Sequence, residues 1–298
     1  MNPPANPGRI APGRASCQSD AIDGTKRDFG PVMLSTGEEK ISVFKTLTRF
    51  HFLCGLPHSG LGVLAALLHQ NPRFRVSLDG PAQAVLSGML ARLGGDGIEA
   101  GLLDEAQKNA LSRSVLDALH HDRPPGATVF DANRDWLALL DDLVRLYPLC
   151  RFVICVRNPA AVVNSHAHAA GIRGPEEELA ALAARLTAPE GSLGAGLAML
   201  RDALSSPHAE RMFVLDYDRL ADDPEEVMDV LYEFLREPPH PHDFSEIGSD
   251  RFAQFTGPVR HSGVPMLLPT RLVLQLSGRA FWRNLKRTSA TLMLGRAR

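Results

Sequence analysis

One stretch constrains the fold more than any other. Residues 49–70, RFHFLCGLPHSGLGVLAALLHQ, join an aromatic and aliphatic run to an apolar helical run through a glycine-bounded turn. Arg49–Cys54 predicts a buried strand, Gly55–Gly60 a tight loop, and the following residues a helix to about Gln70, stopped by Asn71-Pro72. Gly55 and Gly60 have the G-x-x-x-x-G spacing of a loop whose backbone N–H groups and helix dipole face a phosphate. The next residues are Leu61 and Gly62, where a nucleotide hydrolase carries Lys and Ser or Thr to hold phosphate and magnesium. Kinase or Mg-nucleotide hydrolase chemistry is therefore disfavoured, and a plain strand-to-helix turn stays open as the alternative.

The rest of the chain alternates in the same way. Ala127–Asp131, Cys150–Val156 and Met212–Leu215 predict further strands, the middle one continuously apolar as inside a parallel sheet. Helices are expected over 82–94, 102–121, Trp136–Tyr147, 176–187 and 194–206. Asn158-Pro159 opens another with a cap and a first-turn proline, and Asp223-Pro224-Glu225-Glu226 opens one reaching Arg236. The fold class is α/β, a P-loop-type parallel sheet flanked by helices. Residues 1–41, rich in Pro, Gly and small polar residues, are expected to be a flexible leader to a domain over 42–283.

Two positions extend the phosphate reading. Arg157 follows the Cys150–Val156 strand directly, and Ser165 lies eight residues on, in the next helix. An arginine at a strand's C-terminal end, beside a capped helix start, is placed to pair with a second phosphate. A surface ion pair for Arg157 and a solvated position for Ser165 are the alternatives.

With these blocks in order, the chain resembles the sulfotransferase family that uses 3′-phosphoadenylyl sulfate (PAPS), over about residues 49–282. FHFLCGLPHSGLGVLAALLHQNPRF is similar to the family's 5′-phosphosulfate loop, and RFVICVRNPAAVVNS to its 3′-phosphate motif, with Arg157 and Ser165 at the family's spacing. VFDANRDW and MFVLDYDRLADDPEEVMDVLYEFLREPPHPHDF are similar to later blocks of the bacterial branch. The resemblance implies transfer of a sulfuryl group from PAPS to a hydroxyl or amine of a small-molecule, sugar or lipid acceptor. No metal and no nucleic-acid partner are expected. The backbone of His58, Ser59, Gly60, Leu61 and Gly62 would hold the 5′-phosphosulfate, and Arg157 and Ser165 the 3′-phosphate. Tyr217 falls where the family often places an aromatic near adenine, although a core tyrosine at a strand end fits equally. Arg260 in Gly257-Pro258-Val259-Arg260 would be a C-terminal donor-site contact.

The chain departs from the family pattern at the loop. His58 stands where the family has Arg or Lys, a cation that offsets charge on the departing oxygen. A histidine with an ordinary pKa of about 6.5 is mostly neutral at pH 7. Leu61 and Gly62 replace hydroxyl residues. The alternative is therefore a catalytically weakened or inactive nucleotide-binding relative. Asp79, 21 residues after His58, matches the spacing of the catalytic carboxylate in tyrosylprotein sulfotransferases and is the candidate general base, beside a solvated loop aspartate. Asp131 at a strand end is a second candidate, or a cap partnered by Arg134. His166 and His168, and His240 and His242, are expected to be solvated.

Composition adds one asymmetry. Residues 251–298 hold nine Arg or Lys and no Asp or Glu, so residues 1–250, with 23 basic against 34 acidic residues, carry about −11. Arg279, Arg283, Lys286 and Arg287 interleave with Phe281, Trp282, Leu285, Leu292 and Leu294. Residues 284–298 are expected to form a basic amphipathic tail, resting on an anionic membrane surface or on the acidic body of the domain. No apolar run reaches 18 residues and no secretory pattern is present, so a cytoplasmic location, peripheral to a membrane at most, is expected. The cysteines Cys17, Cys54, Cys150 and Cys155 lack zinc spacing and are expected to be reduced thiols.

Overall fold

The computed structural model describes residues 49–95, 101–255, 257–261 and 263–278. All belong to the compact unit Thr46–Arg298. The expected leader 1–41 and the tail 284–298, with Arg279, Arg283, Lys286 and Arg287, lie outside the described residues.

Five parallel strands form one sheet in the order β2-β3-β1-β4-β5. They are β1 (Phe50–Gly55), β2 (Phe74–Leu78), β3 (Thr128–Ala132), β4 (Phe152–Val156) and β5 (Met212–Asp216). The helices are α1 (Leu61–His69), α2 (Ala82–Gly94), α3 (Glu105–Leu119), α4 (Leu140–Leu146), α5 (Pro159–Ala169), α6 (Glu176–Thr187), α7 (Ser192–Ser205), α8 (Tyr217–Asp222), α9 (Pro224–Leu235) and α10 (Thr270–Ser277).

Successive side chains of a strand point to opposite faces, so a strand covered on both sides must be apolar throughout. In β1, Phe50, Phe52 and Cys54 pack with Trp136, Leu143 and Leu86 on one face. Leu53 packs with Leu64 and Leu67 of α1 on the other. In β4, Phe152, Ile154 and Val156 join the first cluster, Val153 and Cys155 the second. One face thus carries α1, α8 and α9, and the other α2 to α7 and α10. Cys54, Cys150 and Cys155 are free and buried, and burial pushes the last two thiols up to about 12.

Two elements differ from the sequence reading. β2 was not predicted: FRVSL alternates buried and half-buried positions, as suits an edge strand, and follows Asn71-Pro72-Arg73 without a break. The helix expected from Trp136 starts instead as a 3-10 turn, Arg134–Leu139, before α4. Asn133 Oδ1 accepts from the Asp135 N–H and Trp136 Nε1–H donates into the core, and together they hold this tight turn.

His51 interrupts the apolar run of β1. It is 1% exposed, and its Nδ1 accepts from the Arg151 N–H at 3.1 Å. Burial, then the charges of Arg151 and Arg49, push its pKa down to about 3. A histidine depressed in the folded state stays neutral there while the unfolded chain takes up a proton, so stability falls as pH drops from about 6.5 toward 3. His51→Asn keeps an acceptor for Arg151. Unfolding free energies from urea titrations between pH 6 and 4 should show its pH slope flattened by about 1.4 kcal/mol per pH unit relative to wild type.

Candidate donor-binding cleft

Parallel strands bring all their C-terminal ends to one edge. β1 lies between β3 and β4, the point where chain connections leave in opposite directions and where open α/β sheets bind ligands. A cleft of about 420 Å³ opens there, lined by residues that include His58–Gly62, Asp79, Arg134, Arg157, Ser165, Tyr217 and Phe255.

The loop is built from backbone necessity. Gly55 pairs with Cys155, and a Cβ on it would meet the Cys155 carbonyl oxygen at 2.6 Å. The Ser59 hydroxyl turns inward and donates to Leu56 O at 2.6 Å, closing the turn. Gly60, at φ 89°, is the N-cap of α1 and has no side chain to block the first N–H groups of the helix. A Cβ on Gly60 would run into the Tyr217 ring, and one on Gly62 into the Phe255 ring. The glycine at 62 is thus occupied space, not an open gap. His58 takes a left-handed φ of 52°, which turns its side chain out of the loop.

Arg157 is 6% exposed, its guanidinium lies 4.9 Å from the Tyr217 ring centre, and its Nε is 3.7 Å from Asp218 Oδ1. Tyr217 donates its hydroxyl to the Arg260 carbonyl at 2.9 Å. Tyr217 is therefore both a strand-end core residue and part of the cleft wall. Arg260 is exposed and is absent from the cleft lining; its backbone carbonyl, not its guanidinium, makes the contact.

His58 and Ser165 meet directly: Ser165 Oγ lies 3.0 Å from His58 Nδ1. His166 packs edge-on against His58 with ring centres 4.1 Å apart. Partial burial first, then the Arg134 and Arg157 charges, lower the pKa of His58, so the free loop carries a neutral imidazole at pH 7. His166 is pushed down to about 4, by burial first and then by His58, Arg134 and Arg185.

Several expectations need correction. Asp131 is not available to an acceptor: it is fully buried and bonded to Ser77, His120 and Trp136, not to Arg134. His166 is a neighbour of the loop, not a solvated residue. His168 Nε2 lies 2.8 Å from Pro265 O, and His242 lies 3.1 Å from the Tyr232 hydroxyl. Arg134 was missed as a cleft residue. Its signal was available: it lies two residues past a strand that ends on the same sheet edge.

A family model described as the sulfotransferase family matches residues 51–241. The chain belongs to the sulfotransferase family. The matched stretch takes in β1 from its second residue, β2 to β5, and His58, Asp79, Arg134, Arg157, Ser165 and Tyr217, and stops short of Phe255 and Arg260. No curated protein matches the chain. Among solved structures, the sulfotransferase domain from the curacin biosynthetic pathway is similar at 14% identity and TM-score 0.50, over 82% of this chain and 98% of that one. That likeness is one of fold. The sulfotransferase domain of the Synechococcus PCC 7002 olefin synthase is 17% identical, with a TM-score of 0.49 over 84% of this chain and 95% of its own. Among the described residues no helix is long and apolar enough to cross a membrane, and no group of three or more His, Cys, Asp or Glu could hold a metal ion.

The Gly62–Phe255 contact makes a direct prediction. Gly62→Ser, which restores the family's hydroxyl, should destabilise the protein by about 1–3 kcal/mol in thermal denaturation. The loss should shrink when Phe255→Ala is added. Equal losses with and without Phe255 would show that the ring does not set the limit.

Proposed function

We propose that this sulfotransferase takes its sulfuryl group from PAPS and passes it to a hydroxyl or amine. The observation that carries the reading is the convergence of the loop His58–Gly62, Arg157 and Ser165 on one cleft at the ends of adjacent strands. The loop backbone and the α1 N-terminus suit the 5′-phosphosulfate, and Arg157 with Ser165 suits the 3′-phosphate. In the transfer, the acceptor oxygen or nitrogen attacks sulfur while the bond from sulfur to the bridging oxygen breaks. The electron pair leaves with adenosine 3′,5′-bisphosphate, and the acceptor proton passes to Asp79, a carboxylate on the cleft wall. Arg134 supplies a permanent cation in the cleft where His58 is neutral. The acceptor, a sugar, lipid or small molecule, presents the hydroxyl or amine that attacks.

A second reading has its own support. Neutral His58, tied to Ser165, leaves the loop without the family's cation, as expected of a relative that binds nucleotide but transfers poorly.

Titration calorimetry with adenosine 3′,5′-bisphosphate separates the cases. Wild type should bind, and Arg157→Ala should bind about tenfold more weakly or worse; no binding by either protein would end both readings. Binding without sulfuryl transfer to any acceptor selects the second, and gain of transfer in His58→Arg would identify position 58 as the limit.

A pH effect follows as well. An anion beside His58 raises its lowered pKa, so binding takes up a proton and strengthens as pH falls. Calorimetry in buffers of different ionisation enthalpy should show more proton uptake by wild type than by His58→Gln. Equal uptake would mean that His58 does not meet the ligand.

A further inference from the structure

Asp131 holds three donors from three segments. Ser77 Oγ donates to its Oδ2 at 2.7 Å, His120 Nε2 lies 2.9 Å from the same oxygen, and Trp136 Nε1–H donates to Oδ1 at 3.0 Å. Asp131, His120 and Trp136 are at most 2% exposed. An apolar side chain would fill such a site at less desolvation cost, so the carboxylate serves something besides packing.

Its partners indicate what. Ser77 is two residues before Asp79, and Trp136 two residues after Arg134. Asp79 and Arg134 are, with Arg157, the charged residues lining the cleft among those described. Each short connection is pinned at its other end too. The Asp79 N–H donates to Ala132 O at 2.9 Å, and the Asn133 N–H donates to Leu53 O at 3.0 Å. Asp79 itself has a left-handed φ of 51°, so its place depends on how β2 ends. We infer that Asp131 is a positioning residue: one buried carboxylate, gripping Ser77 on one side and Trp136 on the other, fixes where Asp79 and Arg134 stand in the cleft. What those two residues do in the reaction rests on the sulfuryl-transfer reading; their placement by Asp131 does not.

Trp136→Phe removes the Nε1–H donor and keeps an aromatic core residue. Ser77→Ala removes the other arm. The readouts are the pKa of His58 followed by imidazole NMR, sulfate release from PAPS in water, and affinity for adenosine 3′,5′-bisphosphate. Burial first and then the Arg134 charge lower the His58 pKa, so a displaced Arg134 lets that pKa rise. Trp136→Phe should shift it upward, in the direction of an Arg134→Gln control, while Ser77→Ala leaves it in place. Sulfate release should fall about tenfold in Trp136→Phe with nucleotide affinity held within about twofold. A lower melting temperature with His58 titration and sulfate release as in wild type would overturn the inference and reduce Asp131 to a core fastening. If wild type neither binds nucleotide nor releases sulfate, the donor reading fails, and the His58 titration alone still decides the placement.

Discussion

The cleft depends on the close approach of β1 to β4. Gly55 lies against Cys155, with the Leu56 N–H on the Cys155 carbonyl at 2.9 Å, and no side chain fits between them. That contact puts the end of one strand beside the end of the other. The glycine-bounded loop to Gly60 leaves the first and Arg157 leaves the second. The apolar character of both strands, buried on both faces, keeps the pair in the middle of the sheet.

Around this pair the electrostatics are unequal. The loop side of the cleft has backbone N–H groups, a helix N-terminus and a buried arginine stacked on Tyr217. The loop position that bears a cation in the family bears here an imidazole that burial and two arginines keep neutral. Arg134 brings positive charge from the neighbouring strand β3. It is a residue outside the loop motif, held by a turn whose tryptophan is anchored in the core. Phe255 likewise fills the space over Gly62, so the loop's missing side chains and the chain's later segment form one packed unit.

Much of this was legible from residues. The aromatic and aliphatic run of β1, broken only by His51, the continuous apolar run of β4, the Asn158-Pro159 cap and the Asp223-Pro224 start all signal locally, and the structure has α2, α5 and α6 where patterning puts them. β2 was not legible, because a five-residue edge strand with Arg75 and Ser77 on half-buried positions has no continuous apolar run. Asp131 was misread, since a carboxylate at a strand end looks the same in sequence whether it faces solvent or the inward-turned donors of Ser77, His120 and Trp136. His166 was misread because its partner, His58, is 108 residues away. The relation of Gly62 to Phe255 is equally long-range, and no local pattern encodes it.

The proposed function puts two phosphates of one nucleotide on this edge of the sheet. A crystal structure of the protein with adenosine 3′,5′-bisphosphate tests it directly. The expected result is the 5′-phosphate on the N–H groups of residues 58–62 and the 3′-phosphate within hydrogen-bonding reach of Arg157 and Ser165, with the Ser165–His58 bond given up. A nucleotide bound elsewhere, or one that leaves Ser165 on His58 and Arg157 on Asp218, would contradict it.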